Sequence, residues 1–410
     1  MDPIVWDWIG AGLRWLHVIA GIAWIGSSFY FVHLDSSLKP REGLPPGAYG
    51  EAWQVHGGGF YHMVKYLVTP PNMPDELTWF KWEAYATWIS GFALLVFVYY
   101  FGAELYLIDK AVMDLSPWAA IGISVGSLVL GWAVYDLLCR SPIGRSEAWL
   151  GLVGFGFIVA VTWGFTEFFS ARGAFMQAGA LMGTIMAANV LMIIIPNQRK
   201  VVKVLLAGGT ADPRLGRIGK QRSMHNNYIT LPVVFVMIAN HYPLAYGAAQ
   251  SWLILAFLIV MGTAIRHFFN TMHKGLPAPW WTWWIAGGCA LIIVALSRGT
   301  PADPTTTTGF LPQPAVSAQA VTLAQASEIV STRCSMCHAR EPVWDGIITP
   351  PKGVLLDTPE HVAAHAEEIY VISVWTHAMP PSNITEMTIE ERRRLARWIA
   401  DGQAARLAQQ

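Results

Sequence analysis

The sequence predicts an all-α protein in which a polytopic membrane bundle of eight helices precedes a small, soluble all-α domain. Of its 410 residues, 54% are hydrophobic and only 13% are charged, about half the charge of a typical soluble protein. Eight apolar segments are long enough to cross a bilayer, and a stretch rich in Pro, Thr and Ala separates them from a more polar end. The formal net charge of zero argues against a nucleic-acid surface. Most of the chain is therefore expected in a lipid bilayer.

The predicted spans follow from runs of about 20 mostly apolar residues. They cover approximately 6–34, 84–107, 117–138, 148–169, 174–195, 227–247, 250–272 and 280–297. The first lacks a basic N-terminal region and a small-residue cleavage site, so we expect it to be retained. The predicted domains are a membrane domain at 1–298, a linker at 299–324 and a soluble domain at 325–410.

The distribution of Lys and Arg predicts the orientation. The odd-numbered connections carry most of them, and basic connections stay on the inner side. The fifth connection alone holds seven: Arg199, Lys200, Lys203, Arg214, Arg217, Lys220 and Arg222. The seventh region carries Arg266 and Lys274 at a helix end. A patch for lipid headgroups or nucleic acid is an alternative, but a topology signal is the simpler interpretation. Both chain ends are therefore expected outside.

The strongest chemical motif is C-x-x-C-H, formed by Cys334, Cys337 and His338. Two cysteines at this spacing can add to the vinyl groups of one haem, and the next histidine can reach its iron. A CxxC redox pair is the alternative. Met379, followed by two prolines, is the predicted sixth ligand, and Met387 is the competing one. These residues predict a small cytochrome c domain with one covalent haem c.

A terminal helix is the expected last element of such a domain. Thr388 and Glu391 form a T-x-x-E pattern, which predicts a capping box. Leu395, Trp398 and Ile399 then recur on one helical face. Since c-type haem is attached outside the bacterial membrane, the motif and the predicted topology agree.

Histidines inside predicted spans are candidates for function because ionisable groups are costly there. His17 lies well inside span one, which makes it the better candidate ligand of a second, b-type haem; His241 is a weaker one. The alternative is an ordinary hydrogen-bonded histidine. Polar groups such as Glu167 are more simply helix-to-helix hydrogen bonds. The glycine run at 56–62 fits a turn better than a ligand cradle.

Four segments carry a family resemblance: Trp15–Gly26, Gly183–Val190, Met224–Pro232 and Asn240–Pro243. Together they resemble the bacterial membrane-bound urate oxidase (urate hydroxylase) family. That family joins an eight-helix membrane domain to a C-terminal cytochrome c, and the resemblance covers essentially the whole chain.

The resemblance implies oxidation of urate to 5-hydroxyisourate in purine catabolism. Electrons would pass to the haem iron and on to the respiratory chain, through a terminal oxidase or a soluble cytochrome. It also implies the bacterial inner (plasma) membrane, with the cytochrome domain on the periplasmic side. A neutral histidine suits the required general base. The candidate bases are His225, His33 and His267, and the candidate urate ligands are Asn227 and Asn189.

Two further functions stay open from the residues alone. One is a membrane protein that passes electrons from quinol without purine chemistry. The other is a haem- or porphyrin-handling membrane protein with an appended cytochrome. Reduction of the c-type haem by urate but not by a quinol analogue would favour urate oxidation over quinol-linked electron transfer. The number of haems per chain tests the haem- or porphyrin-handling function.

Overall fold

The computed structural model describes residues 2–70, 73–298 and 320–407. Helices dominate both parts of the chain, in agreement with the predicted fold class. Most of the predicted linker, residues 299–319, lies outside the described residues. The first helix after it begins at Leu323, two residues before the predicted domain boundary.

The membrane part contains eleven helices within the described residues. They are α1 (Pro3–Ser37), α2 (Trp82–Leu94), α3 (Ala103–Tyr106), α4 (Pro117–Arg140), α5 (Glu147–Thr166), α6 (Ala171–Ala188), α7 (Ile195–Leu206), α8 (Pro213–Ala239), α9 (Pro243–Tyr246), α10 (Ser251–His273) and α11 (Trp281–Ser297). A π-helical turn at Leu95–Tyr100 extends α2, and another at Asn189–Ile194 joins α6 to α7.

Six helices of the described chain are long and apolar enough to cross a membrane. They are Ile4–Ser37, Trp82–Tyr100, Pro117–Arg140, Glu147–Thr166, Ala171–Leu206 and Ser251–His273. They match six of the eight predicted spans, so a membrane bundle is supported.

The other two predicted spans are helical but do not meet that criterion. Helix α8 begins at Pro213, behind the N-cap Asp212, and its first half carries several basic residues. It ends at Ala239 rather than at the predicted residue 247, so His241 lies beyond the helix. Helix α11 is apolar but has only 17 residues.

Small residues let the helices approach closely. A Cβ at Gly262 of α10 would lie 2.8 Å from Cδ of Pro232 on α8. A Cβ at Gly179 of α6 would lie 2.4 Å from Cγ1 of Val236. Close backbone approach is the usual device for packing helices in lipid, where all side chains are equally apolar. It brings polar residues of α8 and α10 into contact.

A two-stranded antiparallel hairpin follows α1 and departs from the all-α prediction. Its strands are β1 (Ala48–His56) and β2 (Gly59–Tyr66). Gly57 and Gly58 both have positive φ at the two-residue turn, as such hairpins require. The glycine run is therefore a turn. Alternation of hydrophobic and polar residues in these strands is weak, so the pattern gave no clear strand signal.

The C-terminal part is a small helical unit with its own core. Its helices are α12 (Leu323–Arg333), α13 (Ser335–His338), α14 (Pro359–Ala364), α15 (Ala366–Ile369) and α16 (Ile389–Leu407), with a π-helical turn at Tyr370–Trp375. The predicted capping box is confirmed, because the Glu391 N–H donates to Thr388 Oγ1 and the Thr388 N–H donates to Glu391 Oε2. Leu395 and Ile399 are buried, as the helical pattern predicts.

The C-terminal unit packs against one end of the membrane part. The Trp375 indole donates to the Ser297 carbonyl at 3.0 Å, and the Ser382 hydroxyl donates to the Leu105 carbonyl at 2.9 Å. A Cβ at Gly247 would lie 2.3 Å from the Thr376 carbonyl oxygen. Only a glycine therefore allows this approach of the two parts.

Candidate functional site

A large cavity lies between the two parts of the chain and is lined by both. Its volume is about 2120 Å³. From the membrane part it is lined by His17, Gly91 and His241, and from the C-terminal unit by residues that include His338 and Met379. The cavity is therefore shared by the candidate ligands of a b-type haem, His17 and His241, and the predicted ligands of the c-type haem, His338 and Met379.

The C-x-x-C-H residues line this cavity together. Cys334 lies between α12 and the short helix α13, and Cys337 and His338 are the last two residues of α13. His338 Nδ1 lies 3.0 Å from the Val354 carbonyl oxygen. Since a carbonyl can only accept, Nδ1 carries the proton and Nε2 keeps a free lone pair. Burial raises the pKa of the Cys334 thiol to about 12. The donor set fits a haem c.

The segment that carries Met379 is fixed by a buried arginine. Arg392 of α16 donates to the Met379 carbonyl oxygen at 2.9 Å, to the Ser373 carbonyl oxygen and to Asn383 Oδ1 at 2.9 Å. Both candidate methionines border the cavity. Met387, however, is 2% exposed and belongs to the hydrophobic core of this unit. Met379 is therefore better placed than Met387 to serve as the predicted sixth ligand.

The pair of Arg333 and Glu391 ties the first helix of the C-terminal unit to the last. The two side chains lie 3.0 Å apart. Burial acts to raise the pKa of Glu391, but hydrogen bonds from Thr388 and Arg333 outweigh it and hold the pKa below its usual range. The ion pair therefore stabilises the fold above pH ~4.3, the unfolded value, and is lost as pH falls through the lower folded pKa.

We predict that Glu391→Gln lowers the thermal midpoint at pH 7, because glutamine keeps the capping box but loses the charge. The midpoints of variant and wild type should converge as the pH falls below 4. Thermal unfolding of the full-length protein between pH 7 and pH 3 measures this. Glu390→Gln, an exposed neighbour on the same helix, is the control. A constant difference at every pH would contradict the charge argument.

His17 is held in one orientation inside the bundle. Its Nδ1 lies 3.0 Å from the Thr87 carbonyl oxygen and 3.1 Å from Ser90 Oγ. The carbonyl bond again leaves Nε2 as the free acceptor. A Cβ at Gly91 would lie 2.8 Å from His17 Cε1, so the glycine makes room for the ring. His241 lines the same cavity but is exposed, on the turn that follows α8.

A buried hydrogen-bond network connects α4 and α8 with the π-helical turn after α6, and His225 extends it to the start of α5. Asn189 donates to the Tyr135 hydroxyl at 3.1 Å and accepts from Arg222 at 3.3 Å. Arg222 is 2% exposed and pairs with Asp136 at 2.6 Å. His225 contacts the Tyr135 hydroxyl through Nδ1 at 2.7 Å and Glu147 through Nε2 at 3.5 Å. Both ring nitrogens of His225 and both amide atoms of Asn189 are therefore engaged within the protein.

A second polar cluster, which we term the inner junction, joins α1, α8 and α10. Arg266 donates to Asn227 Oδ1 at 3.2 Å and to Asn270 Oδ1 at 3.1 Å. The rings of His33 and His273 meet with their centroids 4.4 Å apart. A contact between α10 and α8 also belongs to the cluster. His267 Nδ1 lies 3.3 Å from the Tyr228 hydroxyl.

The structure divides the predicted catalytic and urate-binding residues between these two clusters. Asn189 and His225 belong to the buried network, whereas His33, His267 and Asn227 belong to the inner junction. Sequence reasoning took Arg222 and Arg266 as topology signals, but both are buried and paired with polar side chains. The signal that could have found Arg266 is its spacing from Asn270 and His273, since these three residues share one helical face.

The fold and these sites define a helical membrane protein with buried arginine and histidine clusters, joined to a Cys-x-x-Cys-His unit. The family model described as Urate oxidase N-terminal matches residues 3–297. The chain therefore belongs to this urate oxidase-related family. The match ends where α11 ends, before the C-terminal unit. Searches of curated proteins and of solved structures gave no match.

Proposed function

We propose that the chain is a cytochrome c-linked urate oxidase that converts urate to 5-hydroxyisourate. The observation that carries the proposal is the family match over the whole membrane part. The reaction takes one urate and one water and gives 5-hydroxyisourate, two protons and two electrons. The protein must therefore bind an anionic purine, accept protons and remove electrons.

We propose that Cys334, Cys337, His338 and Met379 hold one haem c, which would supply a one-electron acceptor when bound. Their common position on the large cavity supports this role. The contacts from Trp375 to Ser297 and from Ser382 to Leu105 keep the C-terminal unit against the membrane part. We place this unit on the periplasmic side of the bacterial inner membrane, from which electrons would continue to a terminal oxidase or a soluble cytochrome.

The hydrogen bonds distinguish the three candidate proton acceptors. His225 has both ring nitrogens engaged, and His267 lies against Tyr228 and Trp281. The buried Nδ1 of His33, in contrast, has no hydrogen-bond partner among the described residues. A ring nitrogen that makes no hydrogen bond within the protein is free to contact a ligand and accept its proton. His33 is therefore the favoured general base.

We further propose a b-type haem in the membrane part, with His17 as a ligand and His241, which lines the same cavity, as a second candidate. His33 follows His17 by sixteen residues on α1, a separation of about 24 Å. A proton acceptor at His33 thus lies far from the C-terminal unit, which favours a redox group between them. The fixed His17 ring, its free Nε2 and the room left by Gly91 suit a porphyrin ligand.

The b-type haem is tested by haem content. Purified wild type should contain two haems per chain, one covalent and one extractable by acidic organic solvent. His17→Ala should lose the extractable haem and keep the covalent one, as read from the pyridine haemochrome spectrum. Wild type with covalent haem alone would overturn this part of the proposal.

The reaction is tested by adding urate to the oxidised protein without oxygen. The absorption band of a ferrous c-type haem should appear with urate and not with a quinol analogue, and 5-hydroxyisourate should form. His338→Ala should not show the band. Product formation with the iron still ferric would contradict the proposed electron path, and reduction by the quinol analogue alone would favour the electron-transfer alternative.

A further inference from the structure

The inner junction is assembled by the spacing of residues on two facing helices. Phe29 and His33 lie one turn apart on α1. Arg266, Asn270 and His273 lie on one face of α10. The close approach of Gly262 to Pro232 presses α10 against α8 one turn away from Arg266. Asn227 of α8 contacts Arg266 and Asn270 on this face of α10.

Arg266 is a buried cation whose partners are all uncharged. Its side chain is 5% exposed. It contacts the two asparagine oxygens described above, and its guanidinium lies 3.7 Å from the centre of the Phe29 ring. No carboxylate of the described residues pairs with it, whereas the equally buried Arg222 has Asp136 at 2.6 Å. Because a buried unpaired charge is costly, Arg266 favours a negatively charged ligand.

Polar atoms without partners concentrate at the same place. Among the described residues, six buried side-chain nitrogen or oxygen atoms lack a hydrogen-bond partner, and three of them belong to this junction. They are Asn227 Nδ2, His33 Nδ1 and His273 Nδ1. Asn227 is fully buried, so its free N–H₂ group cannot bond to bulk water. Buried groups of this kind normally find partners, and a polar ligand would supply them.

A pocket adjoins the junction at His33. Its volume is about 250 Å³, and His33 shares its lining with the basic residues Lys39 and Arg41. The hairpin contributes Glu51, Trp53 and Gln54 to the wall. Arg41 and Glu51 lie 3.4 Å apart, so this carboxylate is already paired. The pocket offers a positively charged approach to the junction for a molecule the size of a purine.

We propose that the inner junction binds the urate anion. Arg266 would contact the anionic edge of the ring, and the Asn227 and Asn270 amides would pair with its neighbouring C=O and N–H groups. Arginine and amide groups recognise such planar edges through parallel hydrogen bonds. This site rests on the proposed function, and it adds Arg266, Asn270 and His273 to the residues considered so far.

The test measures equilibrium binding of urate to the full-length protein by calorimetry without oxygen. Arg266→Met should weaken urate binding by about 30-fold or more, the usual loss when a buried charged hydrogen-bond partner is removed. Lys274→Met, which removes an exposed charge at the end of the same helix, should bind as wild type does. Caffeine, an uncharged purine, should bind Arg266→Met and wild type equally weakly.

A second variant keeps the proposal testable where Arg266→Met does not fold. Asn227→Asp places a carboxylate beside Arg266, so it supplies the missing counter-ion and should fold, while it competes with urate and weakens binding. Wild-type affinity in either folded variant would overturn the site. Failure of wild type to bind or oxidise urate would instead overturn the proposed function.

Discussion

Replacing Cys334 and Cys337 with serine is expected to leave the protein without covalently bound haem and without reduction by urate. Both thiols line the cavity beside His338, and serine cannot form the thioether bonds that retain a haem. Haem staining of the denatured protein on a gel measures the covalent part. Anaerobic addition of urate measures the reduction.

The other two cysteines provide a matched control for this loss. Cys139 lies on α4 and Cys289 on α11, and all four cysteines are free thiols in the structure. The variant Cys139→Ser/Cys289→Ser should keep its stained band and its reduction by urate. A band that survives in Cys334→Ser/Cys337→Ser would contradict the assignment of the motif.

Replacing Arg222 with methionine is expected to destabilise the membrane part by about 3–5 kcal/mol, the usual cost of breaking one side of a buried ion pair. Asp136 would keep only Arg140, at 2.6 Å, whose side chain is 64% exposed. Asn189 would also lose a donor. The free energy of unfolding in detergent, measured with increasing denaturant, gives the change.

A second substitution at Asp136 is expected to restore the stability that Arg222→Met loses. Arg222→Met combined with Asp136→Leu removes both charges, so most of the lost stability should return. Arg217→Met, an exposed change on the same helix, should stay within about 0.5 kcal/mol of wild type. A double variant less stable than Arg222→Met would show that packing, rather than charge, dominates at this position.

Features set by local spacing were predicted from the sequence. The capping box of Thr388 and Glu391 depends on a few adjacent residues and is present in the structure. Apolar length alone identified the six helices that can cross a membrane. These features require no knowledge of which helix meets which.

Features set by contacts between distant segments could not be predicted. Arg222 and Arg266 have the composition of topology signals, and only packing of α8 against α4 and α10 shows that they are buried. Asn189 and Asn227 were equal candidates by sequence. Their hydrogen bonds distinguish the two residues, because only the Nδ2 of Asn227 has no acceptor among the described residues. The hairpin was missed because its strands alternate weakly between polar and apolar residues.

The contacts of Trp375 and Ser382 with the membrane part have a kinetic consequence. A carrier that must diffuse to its donor works more slowly when the protein is diluted, because each encounter is bimolecular. An electron carrier that is bound to its donor within the same chain has a high effective concentration, which dilution does not change. On the proposed electron path, each molecule would then complete its first electron transfers alone, at the same speed in a sparse membrane as in a crowded one.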